Sequence, residues 1–231
     1  LNCSVSSVIN RRRQTAQKVV PLMADPGTPQ VAHGIRVALA SDTPEMARIL
    51  TEAFFDDPVW GPAFPDESKR RSQAREYWAF VVAEALRFPD SLILETPEGG
   101  VAALAVWFPP GAEEIREELL GAYETLVREL LGDTAAKALF DASSQFGAAR
   151  PSTPHAYLTL LAVAPEARGG GAGMTLLSEA LVRLDAAGIP SYLESSNPRN
   201  DRKYESLGYL PHGQVRLPGG QSVQTYWRNP A

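Results

Sequence analysis

The feature that most constrains the fold is a glycine-rich loop between an apolar segment and an amphipathic one. Ala156–Val163 is nearly all apolar, which is typical of a strand that is covered on both faces of a sheet. After the loop Arg168–Gly173, the sequence predicts a helix over 173–187 with apolar residues at helical spacing, namely Leu177, Ala180, Leu181 and Leu184. A buried strand followed by a loop and a helix predicts an α/β fold.

The same loop has the properties of a phosphate site. The first N–H groups of a helix have no intrahelical partner, and the helix dipole adds positive potential there. Glycine lets the backbone approach an anion because no Cβ atom intervenes. A Walker loop would require Gly-Lys-Ser/Thr and a dinucleotide loop G-x-G-x-x-G, whereas the spacing from Arg168 to Gly173 is Arg-x-x-Gly-x-Gly. A glycine-rich turn without a ligand is the alternative for the loop taken by itself.

The rest of the chain alternates between strand and helix patterns. Asp42 and Glu45 are spaced as a capping box at the start of the first helix, and Gly132 interrupts a long helical segment. Strands are predicted at 35–39, 91–95, 101–108, 156–163, 191–195, 209–215 and 222–228. Further helices are predicted at 67–86, 113–131, 134–144 and 201–207.

Composition narrows the function classes. The 231 residues suit one domain, and the net charge of −5 argues against a nucleic-acid partner held by bulk electrostatics. One cysteine, Cys3, rules out an intrachain disulfide, and with three histidines it argues against a zinc cluster, so we expect no metal site. No apolar run approaches the ~20 residues of a membrane-spanning helix. We therefore expect a cytoplasmic protein without a membrane partner.

Residues 1–33 differ from the rest of the chain. They are polar, basic around Arg11–Lys18, and without an amphipathic period. We expect a flexible arm outside the catalytic fold, with Met23 as a candidate start of the native chain, and a single domain over 34–231. An N-terminal helix that packs on a partner subunit is the alternative.

A second group of residues follows the next predicted strand. Asn197 and Asn200 come at its end, Tyr204 lies on the short helix, and the run Glu205–Tyr209 (Glu-Ser-Leu-Gly-Tyr) ends that helix. Together with the glycine loop, this order resembles the GNAT superfamily of N-acetyltransferases, and the residues around 193–204 resemble its puromycin N-acetyltransferase branch. The resemblance runs in register over 158–209 and more weakly over 35–231. It implies the GNAT fold, a central mixed and twisted sheet of six or seven strands flanked by helices.

The resemblance also implies acetyl-CoA as cofactor and direct transfer of its acetyl group to an amine in a ternary complex. The loop residues that would hold the pyrophosphate are Arg168, Gly169, Gly170, Gly171, Ala172 and Gly173. The strand would hold the pantetheine arm through the backbone of Leu161, Ala162 and Val163. The remaining expected cofactor contacts are Asn197, Asn200 and Tyr204. One of the two asparagines is expected to serve only as a turn former.

Acetyl transfer to an amine requires a base for the amine proton and an acid for the departing thiolate. Tyr204 is the expected acid because the reference pKa of tyrosine, about 10, lies near that of a thiol; a packing role is its alternative. Glu194, near the end of the strand before Asn197, is our hypothesis for the base. Tyr157 and His155 are rival bases, and a salt bridge to a nearby arginine is the structural alternative for Glu194.

By analogy, the acceptor lies between the first two helices and the C-terminal strands. The residues expected to line this site are Phe54, Asp57, Trp60, Trp78, Trp107 and Tyr157, although aromatic residues at such spacings are often core. Aromatic side chains with an acid suit a small-molecule amine with an apolar body. The helical insert 112–146 would either cover the acceptor cleft or form a contact in a homodimer.

Other functions stay open at this point. A GNAT-like domain could sense acyl-CoA without turnover, although such a sensor has no need of the acid Tyr204. A protein or peptide N-terminus is an alternative acceptor. A structural protein with an accidental glycine loop is a further alternative, which binding of any CoA ester would exclude.

Overall fold

The computed structural model describes residues 34–231, which form a seven-stranded sheet with helices on both faces. The strands are β1 (Ile35–Val37), β2 (Leu92–Glu95), β3 (Val101–Phe108), β4 (Ala156–Val163), β5 (Ser191–Ser195), β6 (Leu210–Arg216) and β7 (Ser222–Arg228). Their order across the sheet is β1-β2-β3-β4-β5-β7-β6, and every neighbouring pair is antiparallel except β4 with β5. The predicted mixed sheet of six or seven strands flanked by helices is confirmed.

Helices cover the two faces of the sheet separately. They are α1 (Thr43–Ala53), α2 (Trp60–Ala63), α3 (Arg70–Ala85), α4 (Leu120–Ala149), α5 (Ala172–Ala186) and α6 (Asp201–Ser206). Helices α1, α3 and α4 pack on one face, which we call the α1 face. Helices α5 and α6 pack on the other, which we call the α5 face. The central strands β3 and β4 supply apolar side chains to both cores, which explains their nearly continuous apolar sequences.

The first helix begins differently from the sequence prediction. A 3₁₀ turn precedes α1, so the backbone of Asp42 is already helical, with φ −82° and ψ −14°. Its carboxylate accepts the N–H of Leu39 at 2.7 Å and pairs with Arg36 at 2.7 Å. Glu45 pairs with Arg48 at 2.7 Å instead of reaching back along the chain. The predicted capping box is therefore wrong.

The helical insert forms one bent element on the α1 face. Its helix α4 ends at Ala149 instead of 146, and Gly132 interrupts it with a positive φ of 74°. Val127 and Leu139 are buried in the α1-face core, and Phe146 packs beside β6 and β7. The insert therefore packs on this face of the sheet, and the two roles predicted for it, covering the acceptor cleft or forming a dimer contact, stay predictions.

The predictions for residues 1–33, an arm and a start at Met23, lie outside the described residues. Within residues 34–231, no helix is both long enough and apolar enough to cross a bilayer. In the same range, no three side chains of His, Cys, Asp or Glu lie together as a set of metal ligands.

Candidate functional site

The sheet opens between its two parallel strands. β4 and β5 pair only over Ala156–Leu158 and Ser191–Leu193. Beyond that point both strands continue, but β4 pairs only with β3 and β5 only with β7. The edge of β4 over Leu161, Ala162 and Val163 therefore faces the opening with backbone groups that no described strand pairs with. The three residues predicted to contact the pantetheine arm thus lie on an open strand edge.

A β-bulge decides which side chains of β4 face this region. Leu158 and Leu160 pair with consecutive residues of β3, so Thr159 lies unpaired between them. Because Thr159 is an extra residue, the side chains after it point to the face opposite to the one that regular alternation would give. Tyr157 and Leu160 consequently both point to the α1 face, while Leu158 points to the α5 face.

The glycine loop presents a row of open donors at the start of α5. Among the described residues, none of the five N–H groups from Gly169 to Gly173 has a hydrogen-bond acceptor. Gly169 and Gly171 have positive φ values of 87° and 80°, and a Cβ atom on either would point into open space. A Cβ atom on Gly173 would lie 2.9 Å from Val163, so this glycine allows the helix to approach β4 closely. The arrangement is that of an anion-binding helix N-terminus.

Arg168 connects this loop to α1. Its Nη2 atom donates to the carbonyl oxygen of Glu52, near the end of α1, at 3.1 Å. A second link joins Arg48 of α1 to Glu166 at 3.3 Å. The structure therefore gives Arg168 a tethering role, and its predicted contact with a pyrophosphate stays a proposal.

Glu194 lies at the end of β5, beside the opening. By strand alternation it shares the α1 face with Tyr192, which packs with Tyr157 in that core. The residue as a whole is partly exposed, but its Oε1 atom is buried and has no hydrogen-bond partner. Burial raises the pKa of Glu194 to about 7, although the positive charge of Arg150 acts in the opposite direction. Within the described part of the chain Glu194 makes no ion pair, which removes the salt-bridge alternative there.

Tyr204 lies on α6, and its ring belongs to the core of the α5 face. Helix α6 is anchored to the end of β5, because the Ser195 hydroxyl donates to Asp201 at 2.6 Å. The ring of Tyr204 is buried against Tyr209, with centroids 6.2 Å apart. Burial, and then the negative charges of Asp201 and Asp57, raise the pKa of Tyr204 well above its ordinary value. The phenol therefore keeps its proton at neutral pH, whether it acts as an acid or only packs.

The two asparagines after β5 have different local bonds. Asn197 accepts the N–H of Arg199 at 3.1 Å and so shapes the turn before α6. Asn200 accepts a hydrogen bond from the Lys203 ammonium at 3.1 Å on the surface. Asn197 is therefore the turn former of the pair, and a cofactor contact by either asparagine stays a proposal.

The predicted acceptor aromatics divide between the two faces of the sheet. On the α1 face, Trp60 and Trp78 are 4.8 Å apart between ring centroids, and Phe54 lies 5.5 Å from Trp78. Trp78 is 1% exposed and supports the two partly exposed rings. Trp107 is fully buried in the core of the α5 face, because it alternates with Val106 and the two point in opposite directions. Trp107 therefore cannot lie with the other aromatics, and its inclusion was wrong.

Asp57 holds the loop after α1 in place. Its Oδ1 atom accepts the N–H groups of Val59 (2.9 Å) and Trp60 (3.1 Å), and its Oδ2 atom accepts the hydroxyl of Ser196 at 2.7 Å. The buried carboxylate is thus occupied on both oxygens. This geometry makes Asp57 a residue that positions Trp60 against the end of β5, instead of a free anion for an amine.

No sequence motif indicates a role for Arg150 or Glu114. Arg150 follows the last residue of α4, and its guanidinium lies 3.8 Å from the ring centroid of Tyr157. It forms an ion pair with Glu114, while its Nε atom is buried without a hydrogen-bond partner. The only local signal for Arg150 is its position before Pro151, at the end of a helix. That signal does not indicate a partner elsewhere in the chain.

His155, a rival base, is held at the start of β4. Its Nδ1 atom lies 2.7 Å from the carbonyl oxygen of Thr153, and its ring packs edge-on against Tyr192 and Trp227. Burial lowers the pKa of His155 below its ordinary value. It lies at the paired end of β4 and β5, away from the end where the strands separate.

Comparison with known proteins agrees with this geometry. The model of the acetyltransferase (GNAT) family matches residues 46–209. The fold is similar to that of histone acetyltransferase HPA2 and related acetyltransferase from Corynebacterium glutamicum, with a TM-score of 0.66 and 23% identity, covering 85% of this chain and 96% of that one. It is also similar to arylalkylamine N-acetyltransferase 2 from Aedes aegypti (TM-score 0.60, 11% identity, 85% and 98% covered). A third similar structure is the polyamine N-acetyltransferase of Drosophila melanogaster that forms N-acetylagmatine (TM-score 0.60, 18% identity, 84% and 98% covered).

These structures, at such low identity, share the fold alone, but the family model matches more than half of the chain. Strand pairing, glycine loop and family model thus agree, and this chain belongs to the acetyltransferase (GNAT) family of enzymes.

Proposed function

We propose that this enzyme transfers the acetyl group of acetyl-CoA to an amine of a small molecule, directly within a ternary complex. The observation that carries the proposal is the row of open N–H donors from Gly169 to Gly173, next to the open edge of β4. Phosphate groups bind to such donors at a helix N-terminus. An arm with amide groups can hydrogen-bond to an unpaired strand edge in the way an added strand does. Acetyl-CoA supplies the thioester when it is bound.

Glu194 is the base in this proposal. Its pKa of about 7 leaves about half of the side chains ionised at neutral pH, and an ionised carboxylate can accept the proton of an amine. The residue lies at the end of β5, on the face that carries the aromatic cluster. An amine that enters between this cluster and the opening would meet the carboxylate directly or through one water.

Tyr204 is the acid in this proposal. It keeps its proton at neutral pH, and among the described residues its hydroxyl has no hydrogen-bond partner. The burial that raises the pKa of the phenol also disfavours a bare thiolate, so the proton affinity of the sulfur rises with it. Proton donation to the departing thiolate therefore remains feasible.

The acceptor in this proposal is an amine with an apolar, aromatic body. Phe54 and Trp60 are partly exposed above the buried Trp78, and such rings favour stacking and contact with cations. Arylalkylamines and polyamines appear in the names of two similar structures. Puromycin, an aliphatic amine that carries aromatic rings, joins the test panel because the residues around 193–204 resemble that branch.

The first experiment combines binding with turnover. Calorimetric titration with acetyl-CoA, CoA and ATP should show binding of the two CoA species and none of ATP. Thiol release is then followed with puromycin, phenylethylamine and agmatine as acceptors. Release with puromycin or phenylethylamine, the two amines that carry an aromatic ring, supports the proposal. Absence of binding by acetyl-CoA would overturn the assignment of the loop, and tight binding without release from any amine would favour the sensor.

Gly171→Val tests the loop itself. Valine would adopt a positive φ only under strain and would place its side chain in the space before the open N–H groups, so we expect acetyl-CoA binding to be lost. Gly220→Val is the matched control, because Gly220 also has a positive φ (87°) and open space but lies in the β6–β7 turn. Equal affinity in both variants would place the cofactor elsewhere.

A further inference from the structure

We infer that Glu114 in the helical insert and Arg150 directly after α4 form an ion pair that positions one charge of each sign in the region of Glu194. The inference rests on the proposed role of Glu194 as the base. It also gives the insert a function beyond covering the α1 face. Neither residue is expected to touch the reacting atoms, so both are positioning residues.

The geometry brings the pair to the base. Arg150 leaves the end of α4 and lies over the ring of Tyr157, 3.8 Å from its centroid. Tyr157 and Tyr192 are partners in the β4–β5 register, with ring centroids 6.0 Å apart. Glu194 follows two residues after Tyr192 on the same face of β5. The guanidinium, the two phenol rings and the carboxylate therefore share one buried region.

Two unsatisfied atoms lie in that region. The Nε atom of Arg150 is a buried donor, and the Oε1 atom of Glu194 is a buried acceptor, and neither has a hydrogen-bond partner. The Nη2 atom of the same guanidinium pairs with Glu114. Buried polar groups are nearly always bonded, so a donor and an acceptor left open in one region call for an explanation. The charges of Arg150 and Glu194 also act on each other's proton affinity.

Arg150 and Glu114 change the pKa of Glu194 in opposite directions. The groups that face Glu194 come from each neighbouring element: Tyr157 of β4, Tyr192 of β5, Thr225 of β7, Arg150 after α4, and Glu114 before it. Burial raises the pKa of Glu194, whereas the charge of Arg150 and the hydroxyl of Tyr157 lower it. The negative charge of Glu114 raises it. Removal of either charge should therefore shift the titration midpoint of Glu194. When both charges are removed, the two opposite shifts should largely cancel.

The experiment measures the titration of Glu194 without substrate. The protein is labelled with ¹³C at glutamate carboxyl groups, and the Glu194 signal is assigned by its loss in Glu194→Gln. Arg150→Met should move the midpoint upward by about one pH unit, and Glu114→Gln should move it downward by a similar amount. The double variant should return close to the wild-type midpoint. Arg150→Lys, which keeps the charge, should stay closer to wild type than Arg150→Met.

Arg128→Met is the matched control. Arg128 lies on the same helix, pairs with Glu124 and Asp133, and its guanidinium is 5.7 Å from the ring centroid of Phe140. It is surface-exposed, and we expect no movement of the Glu194 midpoint. If Arg150→Met does not fold, Glu114→Gln decides the question alone.

Unchanged midpoints in folded variants, or shifts in the same direction for both single variants, would overturn the inference. Failure of the proposed function gives a different result. In that case the carboxyl still shifts in the NMR titration, but the acidic limb of the pH–rate profile survives in Glu194→Gln. The two failures can therefore be told apart.

Discussion

Glu194→Gln should stabilise the fold at neutral pH while it removes the proposed base. The pKa of Glu194 rises from 4.5 to about 7 in the folded chain, so between these values the native state binds the proton more tightly than the unfolded state. The free energy of unfolding of the wild type therefore falls as pH rises from 4.5 to 7. The difference corresponds to at most about 3 kcal/mol. Because Glu194 keeps some contact with water, we expect about 2 kcal/mol between pH 5 and pH 8.

Urea unfolding at pH 5, 6, 7 and 8 measures this effect. Glutamine has nearly the same shape but no charge, so the stability of Glu194→Gln relative to the wild type should grow over this range by about 2 kcal/mol. Glu98→Gln is the control, because Glu98 is exposed in the β2–β3 turn and its substitution should leave the difference flat. If the free energy of unfolding of the wild type and that of Glu194→Gln depended on pH in the same way, a raised pKa at this position would be refuted.

Activity should change in the opposite sense. The kcat/KM of the wild type should fall below a midpoint near pH 7, because the base must be ionised to accept a proton. Glu194→Gln should lose this acidic limb and about 10²- to 10⁴-fold in rate. An unchanged rate would remove Glu194 from the mechanism, even if the stability prediction held.

Two further substitutions test the acid and the loop after α1. Tyr204→Phe should lower kcat by about 10²- to 10⁴-fold with little change in acetyl-CoA affinity, whereas Tyr209→Phe, which removes a neighbouring buried hydroxyl, should keep its turnover. Equal turnover in the two variants would contradict the role of Tyr204. Asp57→Ala should cost about 2 kcal/mol in urea unfolding and raise the KM of the acceptor, because it frees two buried N–H groups and the Ser196 hydroxyl. Asp66→Ala, which removes an exposed turn bond, should change neither quantity appreciably.

Several elements could be predicted from the sequence because their signals are local. The spans of β3, β4, β5 and β7 agree with the predicted strands, and α5 and α6 agree within one residue at each end. The break at Gly132 also occurs where it was predicted. Apolar periodicity and glycine conformation act over a few residues, so the chain specifies these features before any tertiary contact forms.

The residues of the candidate site also fall into two groups, those that short motifs indicate and those whose surroundings only the fold determines. The loop Gly169–Gly173 and Tyr204, the proposed acid, were predicted from motifs whose spacing lies within one segment. Trp107 was misplaced, because its face is set by the alternation of β3 between the two cores. Asp57 was assigned to the acceptor, but the fold brings Ser196 to its second oxygen. Such assignments depend on which strand neighbours which helix.

The sequence by itself therefore determined the glycine loop, the strand and helix order and the family resemblance. Only the tertiary structure decided the surroundings of Glu194. Glu114 lies in the insert and Arg150 directly after α4, and Arg150 meets Tyr157 of β4 only because α4 packs across the α1 face. The proton affinity of a carboxyl depends on its burial and on charges that the whole fold brings near it, and no short motif specifies either of them.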